Sequence, residues 1–228
     1  MKTRTASLVL ILLTALATTA AMPSLAQPRA PSVIDPELAD RHFRRGNTYN
    51  NLERLEDAAN EYELALTANP NHAEAVRNLA NIYYIQERDE ETIELLRRYI
   101  VLEKEPTTPL VASYNTLGQL LRDAKRYDES IEIDVEAIKH DPENTSQVFI
   151  MANTYFNEGL TENAIRIYET ALTINPNDAF LHRSLGRMYE DMGRLEDALA
   201  QYRSASELDV GSQFYRNLVS DLESRLAQ

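Results

Sequence analysis

The sequence predicts an all-α solenoid: five helix-turn-helix units in a row, closed by a further C-terminal capping helix. Three observations carry that prediction. The pentapeptide Arg54-Leu55-Glu56-Asp57-Ala58 returns unchanged as Arg194-Leu195-Glu196-Asp197-Ala198, 140 residues later, and Thr67-Ala68-Asn69-Pro70-Asn71 returns as Thr173-Ile174-Asn175-Pro176-Asn177. A large residue recurs at Tyr49, Tyr83, Leu121, Tyr155 and Tyr189, and a small one at Ala58, Thr92, Ser130, Ala164 and Ala198, with a step of 34 residues everywhere except the step of 38 between the second and third units. Self-similarity at a period of this length marks a stack of supersecondary units. Within the units, apolar residues fall at i, i+3, i+4 and i+7, the spacing of one buried helix face.

The units are predicted at 37–70, 71–106, 107–142, 143–176 and 177–210, with the final helix in 211–228. Val76, Leu79, Ala80 and Tyr83 form the stripe of a first helix in unit two, and Val148, Met151, Ala152 and Tyr155 do so in unit four. Ala164, Tyr168, Ala171 and Leu172 form the stripe of a second helix. Glu158-Gly159 and Met192-Gly193 read as the turns inside units, and Asn-Pro or Asp-Pro as the breaks between them. Asn71 and Asn177 follow two of those prolines as predicted N-caps. Small residues at Gly46, Ala80, Gly118, Ala152 and Gly186 are expected where the two helices of a unit cross, facing Ala58, Ala164 and Ala198; a mid-helix glycine costs about 1 kcal/mol against alanine, so it needs such a packing reason. The longer step places a four-residue insertion around 103–109. Gln213 to Ala227 reads as the cap, with Phe214, Leu218, Leu222 and Leu226 on one stripe covering the last interface of the stack.

These positions resemble the tetratricopeptide repeat family from Glu37 to Val210. Units one, four and five match at the small-residue, Tyr, Ala, Tyr and Ala positions. Unit two departs at Thr92, Leu96 and Tyr99, and unit three carries Asp134 where a large apolar residue is expected. The resemblance implies a right-handed superhelix whose first helices line a concave groove that holds a partner.

On that register the partner-binding residues are Asn47 of unit one, Arg77 and Asn81 of unit two, Asn115 and Gln119 of unit three, Phe149, Asn153 and Phe156 of unit four, and Arg183 and Arg187 of unit five. The groove positions balance in charge: Arg44, Arg77, Arg122, Arg183 and Arg187 against Asp40, Glu74, Asp123, Glu190 and Asp191. The whole chain carries −13. The acidity is therefore expected on the second helices, as at Asp89-Glu90-Glu91 and Asp128-Glu129, leaving a neutral, amide-rich and partly aromatic groove. Arginine can fork two hydrogen bonds onto a carboxylate, asparagine can pair with peptide backbone, and Phe149 and Phe156 would serve as apolar anchors. The family's clamp for a C-terminal carboxylate is incomplete: Arg77 and Asn81 supply its first pair, but Thr116, Ser146 and Ile150 stand where the remaining donors belong.

Composition excludes several classes. There is no Cys, so no disulfide and no thiolate metal site is available. Strong acidity argues against nucleic acid and anionic lipid as partners. The sequence holds no His-Glu-x-x-His, no Gly-rich phosphate loop and no Gly-x-Ser-x-Gly; His42 and His182 fall on packing positions, and His72 and His140 near helix ends. No cofactor, metal or small-molecule substrate is expected, and no catalysis.

The first 26 residues read as a signal peptide: Lys2 and Arg4, an apolar Ala6–Ala17, then Ser24-Leu25-Ala26 before the cut. The alternative is an uncleaved membrane anchor, for which the apolar run is short against ~30 Å of hydrocarbon. Pro28, Pro31 and Pro36 mark 27–36 as an extended linker. The expected function is a non-catalytic, exported scaffold, most naturally in a bacterial periplasm, that binds a protein or peptide. The alternative is a structural element that assembles with copies of itself.

Overall fold

The computed structural model describes residues 34–103 and 105–228, and the expected signal peptide lies outside them. The described residues form eleven helices: α1 (Pro36–Asn51), α2 (Leu55–Ala68), α3 (Ala73–Ile85), α4 (Asp89–Leu102), α5 (Thr108–Asp123), α6 (Tyr127–His140), α7 (Thr145–Asn157), α8 (Thr161–Ile174), α9 (Ala179–Asp191), α10 (Leu195–Leu208) and α11 (Gln213–Leu226). Consecutive helices pack as antiparallel pairs, and each pair packs on the next. This is the all-α solenoid that the period predicts. None of these helices is long and apolar enough to cross a membrane.

A three-residue turn closes every pair, and its middle residue is left-handed. Gly159 (φ 78°) and Gly193 (φ 73°) take that conformation freely, but Glu53 (φ 59°), Glu87 (φ 56°) and Lys125 (φ 58°) take it with a Cβ, against a steric penalty. The arginine of the repeated pentapeptide holds this turn. Arg54 lies 4.6 Å over the Tyr49 ring and 2.5 Å from Asp57; Arg194 lies 4.3 Å over Tyr189 and 2.7 Å from Asp197. Arg88 repeats the arrangement with Tyr83 and Glu91. A cation on a ring face and an i,i+3 carboxylate together bridge both helices of the unit.

The helix crossing differs in detail from the expected small-on-small contact. A Cβ on Gly46 would come within 2.5 Å of the Tyr62 ring, and one on Gly186 within 2.7 Å of Tyr202. The glycines therefore make room for a buried tyrosine of the second helix. Ala58, Ala164 and Ala198 are fully buried alongside.

Unit three solves the same crossing differently. Asp134 occupies the place of Tyr62, Tyr168 and Tyr202 and is 0% exposed. It cannot fill the volume of a phenol ring. Arg122, expected in the groove, instead turns inward, is only 6% exposed and pairs with both carboxylate oxygens of Asp134. Tyr155 Oη donates to Asp134 Oδ2 at 2.7 Å and lies 2.7 Å from Ser130 Oγ. Burial raises the Asp134 pKa, opposed by Arg122 and by the Tyr155 hydroxyl.

Three smaller expectations are corrected. The N-caps of α3 and α9 are His72 and Asp178, each one residue beyond Asn71 and Asn177; Asp178 Oδ1 accepts from Leu181 N at 2.9 Å, a geometry open only to the residue directly preceding the helix. Pro36 belongs to α1, not to a linker: Asp35 caps the helix through Leu38 N (2.9 Å), and a proline in the first turn has no N–H to leave unpaired. The insertion is mostly helical. α5 has 16 residues where α3, α7 and α9 have 13, and Thr107 caps its Pro109-containing first turn.

The second helices are tied by ion pairs between neighbouring units: Arg97 to Glu129 (2.6 Å), Arg126 to Glu90 (3.1 Å) and Arg166 to Glu132 (2.9 Å). Acidic groups expected to face solvent thus also stitch the outer layer. Exposed pairs of this kind contribute little individually.

Candidate partner-binding groove

The first helices α1, α3, α5, α7 and α9 present the expected groove positions, and the structure divides these positions into unlike groups. Phe149, Asn153 and Phe156 on α7 and Arg183 and Arg187 on α9 converge on one cleft of about 280 Å³. Tyr168, Ser184 and Met188 complete it, and Asp191 lies at its margin. Helical spacing explains the convergence: residues four or three apart share a face, so each helix offers one stripe to the shared cleft.

The cleft is aromatic and cationic. Phe149 is 39% exposed, and its ring centroid is 5.8 Å from that of Phe180 on the next first helix. Phe156 is half-buried against the core. Arg187 is paired loosely with Asp191 at 3.5 Å, and among the described residues Arg183 has no carboxylate within ion-pairing distance. Ser184 Oγ is buried without a well-formed hydrogen bond, although it is near enough to the Tyr168 phenol to favour ionisation there. Burial is the stronger influence and pushes the Tyr168 pKa up to about 12, so the phenol stays protonated at neutral pH and can donate. A buried hydroxyl lacking a partner is costly, and a ligand that supplies one recovers that cost.

A second cleft of about 370 Å³ joins Arg77 and Asn81 with Asn78, Leu96, Pro109, Ala112, Ser113 and Thr116. Its character is that of amides and hydroxyls. The Arg77 guanidinium donates to Asn78 Oδ1 (3.2 Å), and Asn78 Nδ2 donates to Asn47 Oδ1 (3.0 Å). Asn47 Oδ1 also accepts from Tyr62 Oη at 2.7 Å. Asn47 therefore braces units one and two, and its carbonyl is already used inside the fold. Asn115 lines a crevice of about 10 Å³ between α5, α6 and α7, with room for about one water. Gln119 is exposed on α5, apart from both larger clefts.

Sequence reasoning missed the floor of the first cleft. Tyr168 was assigned to core packing, and Ser184 and Met188 were unremarked; the signal available was the serine facing the Tyr168 repeat position. Phe214 was placed on the buried stripe of α11, but it is 54% exposed and lies beside Arg183, 5.6 Å from guanidinium to ring centroid. Leu222 is the buried anchor of α11, supported by Leu218, Val219 and Leu226. The missed signal was the period itself, since Phe214 follows Phe180 by 34 residues.

An α-solenoid with a multi-helix groove is the class these observations define. Models of the tetratricopeptide repeat match residues 43–109, 110–139, 149–178 and 167–200, and the chain is a tetratricopeptide-repeat protein. It is 30% identical over 182 residues, 78% of its length, to human protein O-mannosyl-transferase TMTC1, and 28% identical over 111 residues, 49% of its length, to Hsp70-Hsp90 organizing protein 3 of Arabidopsis thaliana. It spans only 20% and 19% of those two proteins. Among solved structures, it is similar to MamA (TM-score 0.52, 22% identity, 76% of this chain and 92% of that one) and to YrrB, described as a TPR protein with an unusual peptide-binding site (TM-score 0.51, 18% identity, 78% and 90%). At those identities the likeness shows the fold.

Proposed function

We propose that the protein is a non-catalytic scaffold that holds an extended peptide or a partner helix in its groove, with the cleft between α7, α8 and α9 as the principal seat. The observation that carries this is the convergence of five predicted binding residues, two aromatic, one amide and two cationic, on that one cleft. Apolar pockets with a few placed polar groups are the usual form of a binding site. The peptide-binding description attached to YrrB and the organising role in the name of the Arabidopsis relative point the same way. The transferase name of TMTC1 belongs to a protein five times longer, and the cleft holds no nucleophile-and-base pair. Export through the leader at 1–26 would place this scaffold in a bacterial envelope assembly.

The test is crosslinking in the native compartment through a photoreactive residue at Asn153, with captured partners identified by mass spectrometry. Reversing both arginines, Arg183→Glu with Arg187→Glu, should abolish capture and leave the melting temperature nearly unchanged, because a long exposed cation contributes little to folding. Unaltered capture, or unfolding of the double variant, would overturn the reading.

A further inference from the structure

We infer that α11 is a working part of the groove as well as its cap, and that the surface it completes takes an acidic peptide segment bearing an aromatic or large aliphatic side chain. This rests on the scaffold reading above and specifies its partner.

The geometry begins with a line of three rings. Phe149, Phe180 and Phe214 sit on α7, α9 and α11. The first two centroids are 5.8 Å apart, and Arg183 lies 5.9 Å from the Phe180 centroid and 5.6 Å from that of Phe214. Arg183 is thus held between two aromatic faces, which fixes a long side chain at low further entropic cost. Phe214 has no structural reason to be aromatic. Its exposure of 54% shows that α11 is anchored elsewhere, through Leu222 and through the ion pair of Arg225 with Glu190. An exposed phenylalanine at the repeat position of Phe180 extends the apolar rail by one helix beyond the cleft.

Charge selects the occupant. The chain is strongly acidic, yet this face presents Arg183 and Arg187 one helical turn apart, opposed at the cleft by Asp191 alone. Glu190, the other nearby carboxylate, is committed to Tyr202 Oη and Arg225. A carboxylate-bearing segment would meet Arg183 and Arg187 while its apolar side chains lay on the rings, and the Ser184 hydroxyl would gain a backbone partner. A basic segment would meet the same cations and be repelled. Charge-assisted bonds from arginine to carboxylate are the strong kind, and aromatic anchors in a desolvated centre dominate such interfaces.

The test uses the whole purified chain on an array of short immobilised peptides in which acidic, basic and aromatic content vary independently. The bound set should be rich in peptides that are both acidic and aromatic or aliphatic. Phe214→Ser, a change at an exposed site, should weaken that binding about tenfold in fluorescence anisotropy without altering the far-UV spectrum. A bound set indifferent to charge, or rich in basic peptides, would overturn the inference. If Phe214→Ser binds as the parent does while Phe156→Ala does not, the scaffold reading stands and the role of α11 fails. An array with no bound peptide overturns both. Concentration-dependent oligomers that disappear in Phe214→Ser would assign the face to a second copy of the chain and overturn the peptide.

Discussion

Replacing Arg122 with methionine should be among the most damaging single changes in the protein. The guanidinium pairs with Asp134, both groups are buried, and the Tyr155 phenol is the only other donor recorded on that carboxylate. Removing one partner of a buried pair leaves the other charge uncompensated, at a cost of about 3–5 kcal/mol. For a chain of this size each kcal/mol shifts the melting temperature by roughly 2–4 °C, so the midpoint should drop by about 6–20 °C. The double change Arg122→Phe with Asp134→Tyr installs the pair that unit four uses at the equivalent positions, Phe156 and Tyr168. Gly118 leaves space for the ring as Gly46 does for Tyr62 and Gly186 for Tyr202. Swapping a buried ion pair for packed apolar groups is often neutral or stabilising by about 1–4 kcal/mol. The double variant should therefore melt at or above the parent. Urea denaturation and thermal melts read by far-UV circular dichroism check both. A pH series adds a sign. Burial holds Asp134 above its unfolded pKa, so this carboxyl takes up a proton on folding, and its contribution to stability falls as pH rises between those two values. Without Arg122 the folded pKa rises further. The Arg122→Met deficit should be widest at neutral pH and shrink as the medium is acidified toward the ordinary carboxylate range. A single variant within about 1 kcal/mol of the parent, or a deficit that does not change with pH, would refute the buried-pair account.

The left-handed turns give a paired expectation: Glu53→Gly, Glu87→Gly and Lys125→Gly should each stabilise by about 0.5–1 kcal/mol, and Gly159→Ala and Gly193→Ala should each destabilise by about 1 kcal/mol, all read from urea midpoints. Gly46→Ala and Gly186→Ala place a methyl against a buried phenol ring and should cost about 1–3 kcal/mol each by thermal melt. Arg166→Ala removes an exposed inter-unit pair and should cost under ~1 kcal/mol, with the difference vanishing at high salt.

The period made the scaffold legible because every unit must bury the same stripe against its neighbours, so Ala80, Ala152, Tyr83 and Tyr155 recur at a fixed step and all are buried. What the period could not show lies where two positions trade roles. Arg122 was read as a groove cation from its place in the repeat, and Asp134 as an unexplained departure. Neither makes sense alone: an aspartate too small for the tyrosine site leaves volume and an unmet charge, and the residue on the facing helix able to reach both is Arg122. A pairwise substitution is invisible to a register that treats positions one at a time. The same reasoning explains the site. Arg183 and Arg187 were legible as groove residues, but their significance depends on where the acids went. Glu190 turns to Tyr202 and Arg225, and Arg122 leaves the groove for the core, so the even charge balance read from the sequence becomes uneven along its length. Its positive part coincides with the line of Phe149, Phe180 and Phe214. Selectivity along a repeat scaffold requires that kind of unevenness, because a groove with the same charge at every unit would hold a ligand in any register.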